Sequence, residues 1–197
     1  MRVSPAIGRD ADSVWILHPR PVHVGSATLR LVDSTAFGTG MHPTTALCLE
    51  ALHDAVAGTM PDRVLDVGIG SGVLALAALL LGVPRATGLD IDPEALRAAA
   101  DNARLNALDG RLDLVRGGPE SLAGTWPLVL ANVLAAPLIE MAPALARRVG
   151  HHGRLVVSGV PESVTPDVDR AYRRLGMQRV QRLTRGGWAA LVLQASW

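Results

Sequence analysis

The sequence predicts an open α/β sheet, mostly parallel, whose last strand runs antiparallel. Three observations predict it. Short apolar runs alternate with helical segments from residue 63 onward, a glycine-rich turn joins the first run to its helix, and two final apolar runs flank Arg185-Gly186-Gly187. Alternation of this kind produces right-handed crossovers with helices on both faces of the sheet. A short Gly turn between two apolar runs makes a hairpin.

Val64–Val67 is the first strand of the repeat, followed by the turn Gly68–Gly72 and an almost wholly apolar helix over Val73–Leu81. Ala86–Leu89 is the next strand. Asp92 then supplies an N-cap oxygen, Pro93 the preset φ of the first helical position and Glu94 a favourable first-turn charge, for a helix running to about Asn106. Leu112–Val115 and Leu128–Ala131 are strands of the buried kind. Pro143 makes the helix after Ala135 start or bend there, because proline lacks the amide that would continue it. Arg154–Ser158 is a strand, Val164–Leu175 a helix, and Gln178–Leu183 with Trp188–Leu193 the closing hairpin, seven strands in all. Ahead of this repeat, Val14–Leu17 and Ala27–Val32 are edge strands or an extended cover broken by prolines, and Thr44–Val56 is a helix. The division is an N-terminal tail and cover segment over 1–32 and one domain over 33–197.

Composition excludes several classes. With 197 residues the chain suits one medium domain with a single large core. Net charge is +1, and all 19 basic residues are arginine, interspersed with 18 acids, so no basic stripe marks direct nucleic-acid binding. One Phe and one Tyr leave no stacking platform for single strands. Cys48 has no cysteine to pair with, which fits a reducing compartment. The first twenty residues lack the apolar stretch of a secretion signal, and Gly82 with Pro84 ends the Ala75–Leu81 run well short of a membrane span, so a cytoplasmic protein is expected. The six His residues show no ligand-like spacing, and no metal is expected.

Three motifs carry chemistry. Asp66-Val-Gly68-Ile-Gly70-Ser-Gly72 lies between a strand and a helix, where glycines let backbone approach a ligand and the helix N-terminus faces it. Asp90 follows at the next strand end, 22 residues beyond Gly68, placed to accept from two ribose hydroxyls. A dinucleotide fingerprint needs Gly where Val73 stands, and Asp66 suits an ammonium group better than a pyrophosphate. The second motif, Ala36-Phe37-Gly38-Thr39-Gly40-Met41-His42-Pro43-Thr44-Thr45, forms a loop able to fold over a ligand, with hydroxyls near a helix start. Taken alone, the Thr pair also reads as simple capping. The third, Ala131-Asn132-Val133-Leu134, ends a strand on the ligand-bearing side of such a sheet, where Asn132 can orient a nucleophilic nitrogen or merely cap a turn.

The segments AFGTGMHPTTALCL, VLDVGIGSGVLALAALLLG, GLDIDPEAL, ANVLAAPL, GRLVVSGV and GWAALVL stand in the order found in the PrmA family. That family methylates large-subunit ribosomal protein eleven, and the chain resembles its catalytic domain over roughly residues 30–195. The resemblance implies a Rossmann-like class I methyltransferase that takes S-adenosyl-L-methionine and transfers its methyl to a protein amine, a lysine side chain or N-terminal amine. It marks Thr45, Gly68, Asp90 and Asn132 as cofactor contacts, with Phe37, Gly38, Gly40, Asp66, Gly70 and Ile91 beside them. Asn132 is also the candidate for holding the amine in line. The expected partner is a protein substrate, possibly ribosomal, with no membrane and no direct nucleic acid.

The sequence also departs from the family. Only about thirty residues precede the shared region, too few for the family's substrate-recruiting domain. Asp33-Ser34-Thr35 and His151-His152-Gly153 replace the family's usual turns. A small-molecule methyltransferase on the same core, or a non-catalytic cofactor-binding module, therefore stays open, and a nicotinamide dehydrogenase is the weakest rival. Cys48, Trp126 and Trp188 are expected to be packing residues, His151 and His152 to lie in a solvated turn, and Arg147, Arg148, Arg170, Arg173 and Arg174 to lie on solvated helix faces.

Overall fold

A computed structural model describes residues 20–32 and 42–197. The predicted Val14–Leu17 strand and the Phe37–Met41 loop lie outside the described residues. Strands β1 (Arg20–Val24) and β2 (Ala27–Leu31) form a small antiparallel hairpin of their own. Helix α1 (Pro43–Gly58) leads into β3 (Arg63–Val67), α2 (Val73–Leu80), β4 (Arg85–Asp90), α3 (Pro93–Leu105) and β5 (Leu112–Arg116). The chain continues through β6 (Trp126–Asn132), α4 (Ala135–Glu140), α5 (Ala142–Ala146), β7 (Val149–Pro161), α6 (Thr165–Arg173), β8 (Met177–Arg185) and β9 (Trp188–Ala195).

The main sheet has seven strands in the order β5-β4-β3-β6-β7-β9-β8, and only β9 runs against the rest. This is the predicted Rossmann-like architecture. The strand order reverses between β3 and β6, so their carboxyl ends open a crevice, the place where open α/β sheets bind ligands.

Both faces of the sheet are apolar, as a parallel sheet covered by helices requires. Along β6, Leu128 and Leu130 join the core under α1 and α2, while Val129 and Ala131 join the core under α4, α5 and α6. The alternation continues in β7, with Val156 on the first side and Leu155 and Val157 on the second. Helix α2 is buried from Val73 to Leu79 because it packs against the sheet, α1 and β2 together. A helix apolar all round is stable only when enclosed in this way. The hairpin supplies part of the cover through Val24, Leu29 and Leu31.

Local rules explain most boundaries. Asp92 caps α3, its Oδ1 accepting from the Glu94 amide at 2.9 Å. The helix after β6 breaks at Met141 because Pro143 has no amide to carry the ladder across. Two expectations need correction. His151 and His152 are solvent-exposed but lie inside β7, not in a turn; the strand extends back to Val149, with His152 at φ +54° and its amide bonded to the Trp197 carbonyl at 2.8 Å. Arg148 is not a solvated helix-face residue. It is half-buried, and its Nη1 donates to the carbonyls of Leu122 and Gly124 to tie the segment before β6 to the end of α5.

A buried asparagine joins the hairpin to the rest. Asn102 of α3 is fully buried, accepts from the Val32 amide at 2.8 Å and donates to the Ser71 carbonyl at 2.9 Å. It thereby fixes the glycine turn against both α3 and the exit of β2. Asn102→Ala would strand both backbone groups, so chemical denaturation should show a loss of about 2 kcal/mol or more. Asn106→Ala, at a more exposed position bonded to Arg30, should cost about 1 kcal/mol or less.

Candidate active site

The turn after β3 is fixed to β4 before any ligand is considered. The amides of Gly68 and Ile69 both donate to the Leu89 carbonyl, at 2.9 and 2.8 Å. The Ile69 side chain lies over Gly88, where a Cβ would come within 2.1 Å of it. Gly68 has φ +72°, and a Cβ on it would stand 2.5 Å from Val133 Cγ1, so only glycine fits there. The turn then delivers the N-terminus of α2 to the carboxyl end of the sheet.

Asp90 ends β4 beside this turn. Its Oδ2 accepts from the Gly70 amide at 3.1 Å and its Oδ1 from the Asp92 amide at 3.0 Å. Each carboxylate oxygen offers two lone pairs, so both keep one for a further donor. Ile91, the next residue, is 75% exposed.

Asp66 is set deeper. It is 1% exposed, and its Oδ2 accepts from the Ala75 amide at 3.1 Å in the first turn of α2. Burial pushes its carboxyl up to about 8; that amide opposes the shift, and the charge of Asp90 adds to it. Cys48 is fully buried in the core close to Asp66. Burial raises the thiol to about 12, with the charge of Asp66 adding to it, so it is an unreactive packing group as expected.

Asn132 ends β6, level with Ser158 of β7. It is 9% exposed, and its Nδ2 donates to Thr45 Oγ1 at 3.4 Å, while its Oδ1 is buried with no partner among the described residues. Thr45 is fully buried in the first turn of α1. The capping group there is His42, whose Nδ1 accepts from the Thr44 amide at 3.3 Å and lies 2.8 Å from the Thr44 hydroxyl. Trp188 packs edge-on against the His42 ring at 5.1 Å.

The structure thus brings Thr45, Asp66, Gly68, Gly70, Asp90 and Asn132 to the carboxyl ends of β3, β4 and β6 and the start of α1. Phe37, Gly38 and Gly40 lie outside the described residues. Val133 and Asn102 were missed by sequence reasoning. Val133 has no chemical signature, and its contact with Gly68 joins positions 65 residues apart. Asn102 carries a usable signal, a polar residue on the apolar face of an amphipathic helix. Among the described residues, no group of three or more His, Cys, Asp or Glu could hold a metal ion, and no helix is long and apolar enough to cross a membrane.

The buried Asp66 carboxyl has a consequence for stability. Its unfolded value is near 3.8 and its folded value near 8, so between these pH values the folded chain holds the extra proton. Stability from this group is full below the lower value and is lost as pH rises toward the upper, at up to about 1.4 kcal/mol per pH unit. Asp66→Asn keeps an oxygen for the Ala75 amide and cannot ionise. Denaturation between pH 5 and pH 8 should therefore show a shallower decline for the variant than for the parent chain.

Comparison with known proteins places this chain in a family. The family model described as Ribosomal protein L11 methyltransferase (PrmA) matches residues 9–196. The ribosomal protein L11 methyltransferase of Chromohalobacter salexigens is 45% identical over 183 residues, covering 92% of this chain and 59% of that protein. The protein of the same name from Geobacter sulfurreducens is 42% identical over 190 residues, covering 96% of this chain and 62% of that one. The chain thus spans less than two thirds of the length of these curated relatives. The crystal structure of ribosomal protein L11 methylase from Lactobacillus delbrueckii subsp. bulgaricus superposes with a TM-score of 0.81 at 30% identity, over 90% of each chain. An RNA methyltransferase from Salinibacter ruber, solved in complex with S-adenosyl-L-homocysteine, shares the fold alone, with a TM-score of 0.60 at 14% identity. The chain belongs to the ribosomal protein L11 methyltransferase (PrmA) family.

Proposed function

We propose that this chain binds S-adenosyl-L-methionine at the carboxyl ends of β3 and β4 and transfers its methyl to an amine of a protein. A ribosomal protein is the acceptor we favour, from the names of the relatives. The observation that carries the reading is Asn132, a buried amide at the carboxyl end of β6, beside the strand-order reversal, with its Oδ1 unpartnered among the described residues. Buried acceptors are nearly always paired, so one left open at such a place fits an incoming donor.

The residues fit this cofactor. The Gly68–Gly72 turn offers close backbone approach at a helix N-terminus, which suits the carboxylate of an amino-acid end. Asp66 beneath the turn supplies negative potential for an ammonium group, and a cation there would draw its carboxyl back toward ionisation. Asp90, fixed by two amides with lone pairs to spare, suits a ribose diol. When bound, S-adenosyl-L-methionine supplies a methyl group already activated on a sulfonium.

The protein's own task is then positioning and exclusion of water. Thr45 Oγ1 holds the Asn132 Nδ2, so the amide presents its oxygen in a fixed direction. That oxygen can accept an N–H of a neutral amine and leave the nitrogen lone pair aimed into the crevice. A lysine amine has a reference pKa near 10.4, and transfer from water into an enclosed site favours its neutral form. A ribosomal protein as acceptor would be met in the cytoplasm, which is the location this reading favours.

Titration calorimetry with variants tests the assignment. S-adenosyl-L-methionine should bind and NAD should not. Asp90→Ala should weaken cofactor binding about tenfold or more through lost charge-assisted bonds. In Asn132→Ala, methyl transfer to ribosomal protein extracts at saturating cofactor should fall about a hundredfold, beyond any loss of cofactor affinity. Full turnover by Asn132→Ala, or equal binding of NAD, would overturn the reading.

A further inference from the structure

Asn132 must be held against the glycine turn by something stiffer than one hydrogen bond of 3.4 Å. The next residue shows how. Val133 follows β6 and meets two glycines, one just after β3 and one within β7, the two strands that flank β6. On the β3 side, its Cγ1 fills the space that a Cβ on Gly68 would need, at 2.5 Å. On the β7 side, its backbone crosses directly over Gly159, where a Cβ would meet the Val133 carbonyl oxygen at 2.1 Å and its carbon at 2.6 Å.

Gly159 is built for this crossing. It has φ +86°, a conformation that favours glycine, and it follows Ser158, the residue level with Asn132. It also sits where β7 loses register with β9 between Val157 and Val160, so the strand departs from regular pairing at this point. Neither neighbour has a side chain that could yield. The β-branched side chain lies against one glycine and the backbone against the other, and close-packed contacts of this kind transmit displacement rather than absorb it.

We infer that Val133 is a wedge that sets the distance between the donor-binding turn and the Asn132 amide, with Gly159 as the stop against which it rests. The inference builds on the proposed function, since the wedge acts through Asn132. Val133 and Gly159 act as positioning residues, through Asn132. A Cβ at Gly159 would push the Val133 backbone toward Gly68 and rotate Asn132 away from its partner on α1. Shortening Val133 to alanine would instead open space beside Gly68 and let the same backbone drift.

The test combines a spectroscopic readout with kinetics. In the 15N-labelled chain, the side-chain amide signals of Asn132 are identified by their loss in Asn132→Ala. Gly159→Ala and Val133→Ala should each shift or broaden those signals while the signals of Asn102 and Asn106, on α3 and beyond its end, stay in place. Methyl transfer at saturating donor should fall about tenfold or more in Gly159→Ala, over and above any loss of donor affinity. The double variant should recover part of that loss, because Val133→Ala gives the displaced backbone room to retreat.

Unmoved Asn132 signals in a folded Gly159→Ala or Val133→Ala chain overturn the wedge, as does a Gly159→Ala chain with the parent rate. If Gly159→Ala does not fold, the Val133→Ala spectrum alone decides. A parent chain that neither binds S-adenosyl-L-methionine nor transfers methyl would defeat the proposed function, and the spectra would still judge the wedge.

Discussion

The close approach of the β3 turn to the end of β6 is the constraint on which the rest of the site depends. Where Gly68 meets Val133 there is no room for a side chain, and a backbone at φ +72° can make that turn cheaply only as glycine. Once the turn is made, its amides find the Leu89 carbonyl, and Gly70 reaches the carboxylate of Asp90. The same turn aims the start of α2 at the crevice. A larger residue at Gly68 would displace all of these together, because they share one short backbone segment.

A second layer of order is polar and buried. Asp66 ties β3 to the first turn of α2, Asn102 ties the glycine turn to α3 and to the exit of β2, and Ser158 of β7 donates to the Ala189 carbonyl of β9. Such a network specifies one arrangement only if its members are satisfied. Asn132 departs from that rule, since its Oδ1 stays open among the described residues. Leaving a buried acceptor unmade costs about 1–3 kcal/mol, a cost that makes sense where function demands an open acceptor.

The sheet was legible in the sequence because each strand is a short apolar run closed by a turn signal. The break at Pro143 and the cap at Asp92 were legible because each rests on the backbone chemistry of one residue. The full length of β7 was not, since its first residues include exposed His151 and His152 and lack an apolar pattern. Strand β1 was hidden by Pro21, which reads as a breaker although proline is tolerated in an edge hairpin. At the site, local motifs marked the strand-end residues one at a time. The Thr45–Asn132 bond joins positions 87 residues apart, and the contacts of Val133 with Gly68 and Gly159 depend on strand order, so no local pattern could reveal them.

The most direct measurement is a crystal structure of this chain with S-adenosyl-L-homocysteine. The account predicts the ribose hydroxyls within about 2.6–3.0 Å of the Asp90 carboxylate, the amino-acid end at the Gly68–Gly70 backbone, and the sulfur facing Asn132. A ligand seated elsewhere, or seated there with Asp90 bonded only to the amides of Gly70 and Asp92, would contradict it.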